Sequence, residues 1–256
     1  MTNDNIIFGL HSVKSLLSHS PERVERLLLL KERNDRRLQK IHVIADKYSI
    51  PITLANRNEL DKFTTNHQGT VAITTSSAHS YDEGYLDTVL TQSTTPAFIL
   101  VLDGVTDPHN LGACLRSAEA AGVNCVITPK NKSASLTPTA IKVACGAAEI
   151  IPLITVTNLA RTLRRLQDEG VWILGADAEG DQYYYQADLS VPVALVMGAE
   201  GKGLRRLTRE CCDSLIRIPM PGQVSSLNVS VATGICLFEA VRQRTLAENT
   251  GDGLIC

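Results

Sequence analysis

The chain has 256 residues, of which 44% are hydrophobic and 20% charged, with a net charge of −2; this excludes a disordered polymer and lacks the basic balance common among nucleic-acid binders. Its longest apolar runs, Leu27 to Leu30 and Ala97 to Leu102, are far shorter than the roughly 20 residues that cross a bilayer, and Met1 to Phe8 has no basic stretch leading into an apolar one. No membrane span and no secretory signal are therefore expected, the expected address is cytoplasmic, and the seven cysteines, without a C-x-x-C pair, read as structural thiols.

In chain order, the first 75 residues alternate short helices and strands. Helices are expected at Gly9 to His19, Asp35 to Tyr48 and Glu59 to Phe63, and strands at Val24 to Leu30, Pro51 to Ala55 and Thr70 to Thr74. Such alternation implies a small layered α/β domain over residues 1–75. Its charge is less neutral than the whole: Arg23, Arg26, Lys31, Arg33, Arg36, Arg37 and Lys40 stand against Glu25, Glu32 and Asp35, a basic face or an ordinary solvated helix. Residues 76–96 are rich in Ser and Thr with little to bury, and read as a linker containing a short helix at Tyr85 to Leu90.

From Ala97 a second α/β pattern begins. Strands are expected at Ala97 to Gly104, Val123 to Thr128, Ile150 to Thr155, Val171 to Asp177, Val193 to Gly198 and Ser214 to Ile218. Helices are expected at Leu111 to Ala121, Thr137 to Cys145, Leu159 to Glu169 and Ser226 to Arg244. Near-continuous apolar strands alternating with helices imply a parallel sheet covered on both faces, here over residues 97–246, followed by a frayed tail at 247–256.

Ligands of open parallel sheets bind at the carboxyl ends of strands, and three such loops are unusual. In D-G-V-T-D-P-H-N-L-G-A-C-L-R, Asp103 to Arg116, Asn110 is placed to cap the following helix, and Arg116 shares a helical face with Gly112, which would set a cation near the loop. G-A-E-G-K-G-L, Gly198 to Leu204, offers backbone N–H groups to a ligand but fits neither a nucleotide P-loop nor the dinucleotide glycine pattern. In R-I-P-M-P-G-Q-V-S-S-L-N, Arg217 to Asn228, two prolines and a glycine fix a tight path into a helix start. The six histidines lack metal-ligand spacing, so no metal is expected.

The N-x-G-x-x-x-R of Asn110 to Arg116, the M-G-A-E-G-K-G-L of Met197 to Leu204 and the I-P-M-P-G-Q-V-S-S-L-N-V-S-V-A of Ile218 to Ala232 resemble, in order, the three motifs of the SpoU/TrmH family of RNA ribose 2′-O-methyltransferases. The opening I-F-G-L-H-S-V and the A-C-G-A-A-E of Ala144 to Glu149 resemble the ribosomal-RNA branch of that family. The resemblance implies an α/β fold: a knotted parallel-sheet (SPOUT-type) catalytic domain with a small N-terminal L30e-like domain that binds RNA. It implies S-adenosylmethionine as cofactor, a homodimer formed through the catalytic domain, and methylation of a guanosine ribose in large-subunit ribosomal RNA. It further implies a cofactor pocket lined by Met197, Gly198, Ile218, Met220 and Leu227, and a catalytic constellation of Asn110, Arg116, Glu200, Ser226 and Asn228, some from each protomer. Glu200 is either a base or a brace for the glycine loop. Transfer RNA as the substrate, or a non-catalytic RNA-binding or ribosome-assembly role, are the alternatives.

Overall fold

A computed structural model describes residues 6–33, 35–75, 80–201 and 203–251. The N-terminal unit runs β1 (Ile6–Phe8), α1 (Leu10–His19), a 3-10 turn (Pro21–Arg23), β2 (Val24–Leu30), α2 (Arg36–Lys47), β3 (Ile52–Ala55), α3 (Arg57–Asp61) and β4 (Thr70–Thr74), with sheet order β1-β4-β2-β3. Local chemistry sets the helix starts. The Asp35 side chain accepts from the amides of Arg37 and Leu38, and Asn56 and Glu59 cap α3 reciprocally. Alternation along β2 then divides its leucines: Leu27 and Leu29 join one core with α1 and α2, while Leu28 packs with Leu60 and Val71 on the opposite face. The strand β1 was not expected, because three residues are too few to show a period.

The second unit comprises β5 (Ser80–Asp82), α4 (Tyr85–Gln92), β6 (Phe98–Asp103), α5 (Pro108–Ala120), β7 (Cys125–Pro129), α6 (Pro138–Val143), a 3-10 turn (Ala147–Glu149), β8 (Leu153–Val156), α7 (Leu159–Asp168), β9 (Trp172–Ala176), β10 (Gln182–Tyr183), β11 (Val193–Gly198), α8 (Arg206–Glu210), β12 (Ser214–Arg217) and α9 (Val229–Gly251). Its strands form one sheet in the order β10-β12-β9-β11-β6-β7-β8-β5, every pairing parallel. All six residues of β6 are buried. Leu100 and Leu102 face the core of α5, and Ile99 and Val101 face that of α7, the pattern of a sheet covered on both sides. Among the described residues no helix is long and apolar enough to cross a membrane.

Three expectations are corrected. Residues 80–92 are not linker: β5 pairs with β8, Leu86 is fully buried, the Tyr81 and Tyr85 rings stack at 3.8 Å, and Glu83 accepts from the Thr162 hydroxyl and Arg161. Backbone pairing at a sheet edge leaves no trace in a polar composition; residues 76–79 of that stretch lie outside the described residues. The tail expected from residue 247 is still helical to Gly251, with residues 252–256 outside the described ones. Arg23, counted with the basic face, is buried against Glu149 at 2.5 Å, whereas Arg26, Lys31, Arg36, Arg37 and Lys40 are exposed.

The thiols behave as expected where burial is complete. It pushes Cys125 and Cys236 up to about 12. Cys212 is half-buried and Cys145 exposed, and Cys256 lies outside the described residues.

Helices α5 and α6 meet at Gly112, where a Cβ would lie 2.5 Å from the Ala140 carbonyl oxygen and 2.8 Å from Val143 Cβ. Gly112→Ala is expected to lower stability by about 1–3 kcal/mol through overpacking, measured by urea unfolding. Gly234→Ala in α9, where the nearest atom stands 3.9 Å away, is expected to leave stability unchanged or raise it by up to about 1 kcal/mol.

Candidate active site

The chain leaves β6 for β7 and β8 on one side of the sheet and returns with β9 and β11 to the other. This makes the carboxyl end of β6 a switch point, where connections diverge and a crevice opens. The β6–β11 register sets Asp103 beside Gly198, so the two following loops emerge at one level. Strands β9 and β12 add the loops after Ala176 and Arg217 to the same end.

Asp103 is fully buried, and its carboxylate accepts from the Arg205 amide at 2.9 Å and pairs with Arg205 Nε at 2.8 Å. It ties the end of β6 to the far end of the glycine loop. Within that loop Ala199 and Gly203 exchange both backbone hydrogen bonds, at 3.1 and 2.9 Å. Two of its glycines are obligatory for different reasons. A Cβ on Gly198 would lie 2.2 Å from the Gly203 carbonyl carbon, and Gly203 itself holds φ 64°.

A cavity of about 530 Å³ opens against this loop, a size suited to a small organic ligand. Met197, Gly198, Glu200, Ile218, Met220, Ser226 and Leu227 all line it, so all five residues expected around a cofactor and two of the five expected for catalysis share one space. Met197, Ile218 and Leu227 supply apolar wall, and the loop backbone supplies donors and acceptors. The acidic loop after β9 also lines it, through Asp177 and Glu179, both bridged to Arg209 at 3.6 and 3.3 Å. No motif marks that loop in the sequence; its place after a parallel strand is the signal that points to it.

Three motifs meet in one hydrogen-bonded chain. Asn228 Nδ2 donates to Asn110 Oδ1 at 3.0 Å, and Asn110 Nδ2 donates to Glu200 Oε2 at 3.3 Å. Asn228 Oδ1 in turn accepts from the Ser230 amide at 2.9 Å and the Ser230 hydroxyl at 2.6 Å. Asn110 is not the helix cap that was expected: Asp107 caps α5, Pro108 opens it, and the Asn110 side chain is left for Asn228 and Glu200. The helix expected from Ser226 begins at Val229, which leaves Ser226 and Leu227 in the loop that walls the cavity. A second cavity, of about 360 Å³, adjoins the first across Ala199 and Glu200 and is lined by Asn110, Asp107, Lys132 and Arg205.

Arg116 stands apart from this group. It lines neither cavity, and its Nη1 donates to Cys145 Sγ at 3.6 Å. Helix geometry explains the separation, because residues six apart lie roughly 120° around the helix and about 9 Å along it. The face shared with Gly112 is real, but it turns toward α6 and the segment after it rather than toward the loop. Among the described residues no cluster of three or more His, Cys, Asp or Glu could hold a metal ion.

A family model described as the SpoU rRNA methylase family matches residues 97–238, and one described as RNA 2′-O ribose methyltransferase substrate binding matches residues 6–79. The chain is 56% identical over 242 residues to the 23S rRNA (guanosine-2′-O-)-methyltransferase RlmB of Escherichia coli, spanning 94% of this chain and 99% of that protein. It is 58% identical over 246 residues to the protein of the same description from Shewanella oneidensis, spanning 95% and 99%. Among solved structures, the AdoMet-bound rRNA methyltransferase of Sinorhizobium meliloti superposes with a TM-score of 0.73 at 25% identity, covering 93% of this chain and 86% of that one.

Gly198→Ala forces the Gly203 backbone away and breaks the Ala199–Gly203 pairing. Hydrogen exchange at those two amides is expected to accelerate by about tenfold or more, since local opening governs exchange; an unchanged rate would mean the loop closes without the glycine.

Proposed function

The chain belongs to the SpoU rRNA methylase family, and on that premise we propose that it transfers the methyl group of S-adenosylmethionine to the 2′-hydroxyl of a guanosine ribose in large-subunit (23S) ribosomal RNA. Relatives 56% and 58% identical over nearly the whole chain support the substrate. The observation that carries the reading is the chain from Asn228 through Asn110 to Glu200 at the mouth of the apolar-walled cavity.

The cofactor fits what is there: walls for an adenosine and a glycine loop that a Cβ would obstruct. When bound it supplies an electrophilic methyl group. The protein's part is then positioning and charge stabilisation. Met197, Ile218, Met220 and Leu227 hold the ligand against the Gly198 loop and keep water from it. Asn110, Asn228 and Ser226 orient the ribose, which the second cavity receives on the other side of Glu200. Glu200 either takes the hydroxyl proton or braces the glycine loop. A guanidinium stays protonated, so Arg116 stabilises the developing alkoxide or binds the adjacent phosphate.

Because Arg116 faces away from the cavity of its own chain, the reading assigns it to the cavity of a second protomer, in a homodimer formed through the catalytic domain. Exposed Val231 and Phe238, seven residues apart on α9, supply apolar surface of the kind such an interface buries. The trefoil knot and a cytoplasmic address belong to the same proposal. So does the division of labour between an RNA-binding domain ending near residue 75 and a catalytic domain beginning near residue 80. In the first, exposed Arg26, Lys31, Arg36, Arg37 and Lys40 serve as phosphate contacts.

Labelled S-adenosylmethionine, offered with large-subunit ribosomal RNA and with bulk transfer RNA, tests the proposal. Label is expected in one guanosine of the former, with turnover down by about a hundredfold or more in Arg116→Ala. Label confined to transfer RNA would overturn the substrate, and none in either would leave an RNA-binding protein. RNA affinity is expected to fall steeply with salt, and Lys40→Ala to reduce the log–log slope by about 1, read by filter binding across a salt series.

A further inference from the structure

We propose that Cys145 to Glu149 form a coupling segment through which the N-terminal domain sets the position of Arg116, with Glu149 and its partner Arg23 as positioning residues; this rests on the methyltransferase reading above. After α6 ends at Val143, Cys145 at φ 53° and Gly146 at φ 100° turn the chain into the 3-10 turn Ala147–Glu149. A non-glycine residue holds a positive φ only where its surroundings impose it.

Those surroundings come from both domains. On the catalytic side the Arg116 guanidinium donates to Cys145 Sγ at 3.6 Å. On the N-terminal side the Ser15 hydroxyl donates to the Gly146 carbonyl at 2.9 Å, and a Cβ on Gly146 would come within 2.6 Å of Ser15 Cβ, so α1 lies directly on the turn. Glu149 has no exposed side-chain surface, and Arg23 retains 8%. Burial pushes the Glu149 carboxyl above the usual carboxylate range, and the neighbouring Arg23 draws it back down. A buried ion pair contributes little net stability but tolerates little displacement.

The load path continues to the RNA-facing surface. Arg23 immediately precedes β2, and its carbonyl accepts from the Thr75 amide at 2.9 Å, so it moves with the sheet that carries exposed Arg26 and Lys31. A shift of the RNA-loaded domain therefore reaches Glu149, Gly146 and Cys145, and through Cys145 the arginine. Among the described residues, this cluster of polar side chains joins the N-terminal unit to the arginine of the first motif.

Glu149→Gln keeps the shape and removes the charge. Turnover at saturating RNA is expected to fall by about tenfold while affinity for S-adenosylmethionine changes by less than about twofold; in an Arg116→Lys background the same substitution is expected to change turnover by less than about twofold, because both act through one arginine. Independent, multiplicative losses would overturn the coupling. A readout that needs no activity is alkylation of Cys145 by iodoacetamide, followed by peptide mass spectrometry, which is expected to change by about threefold or more in both Ser15→Ala and Glu149→Gln as the contact is released. An unchanged rate in both variants overturns the coupling, whereas a wild-type chain that transfers no methyl group removes the methyltransferase reading and leaves the alkylation result to decide the coupling alone.

Discussion

The site depends on the parallel pairing of β6 with β11. That register brings Asp103 level with Gly198, and once the two strand ends are level, Asp103 can reach the amide and guanidinium of Arg205 and close the glycine loop from its far side. Asn110, three residues into α5, then stands where Glu200 can accept from it. A slip of one residue would turn Asp103 to the opposite face of the sheet and separate every one of these contacts. The fully buried Asp103 carboxylate takes a hydrogen bond at Oδ2 from the Arg205 amide and its counter-charge from the guanidinium of the same residue, so closing the loop and pairing the charge are one event.

Much of this was legible in the sequence, for identifiable reasons. The uninterrupted apolar runs of β6 and β11 are short and followed by glycine, which favours buried strands over helix, and the expected spans lie within two residues of the observed ones. The glycine loop and the Pro219–Pro221 path could be located because glycine and proline act through local backbone geometry. What could not be read depended on partners distant in sequence. The strand β5 exists only because β8 offers an open edge, and two-residue β10 exists only because β12 does. The fate of Arg23 turned on Glu149, 126 residues away.

The same distinction holds within the candidate site. The residues that the family resemblance sets around a cofactor line one cavity; position after a strand points to the loops that hold them but not to the individual side chains. Asn110 suits a cap by residue type, but Asp107 suits it equally and has Pro108 behind it, so the helix starts there. For Arg116 the spacing to Gly112 gave the correct face of the helix, but which element that face meets was fixed by the packing of α5 on α6, about which the sequence is silent.

The docking of α1 on the turn at Gly146 bears on how such proteins can be rebuilt. Two domains joined by a tether are exchangeable parts; two domains that share a left-handed turn and a buried charge are not. A chimera that kept residues 80–251 and took the N-terminal unit from elsewhere would strand Glu149 without its arginine and set an unmatched helix against a glycine with no room for a misfit. The boundary that matters for recombination lies not in the chain between the domains but around residues 144–149, and these belong, in packing, to both.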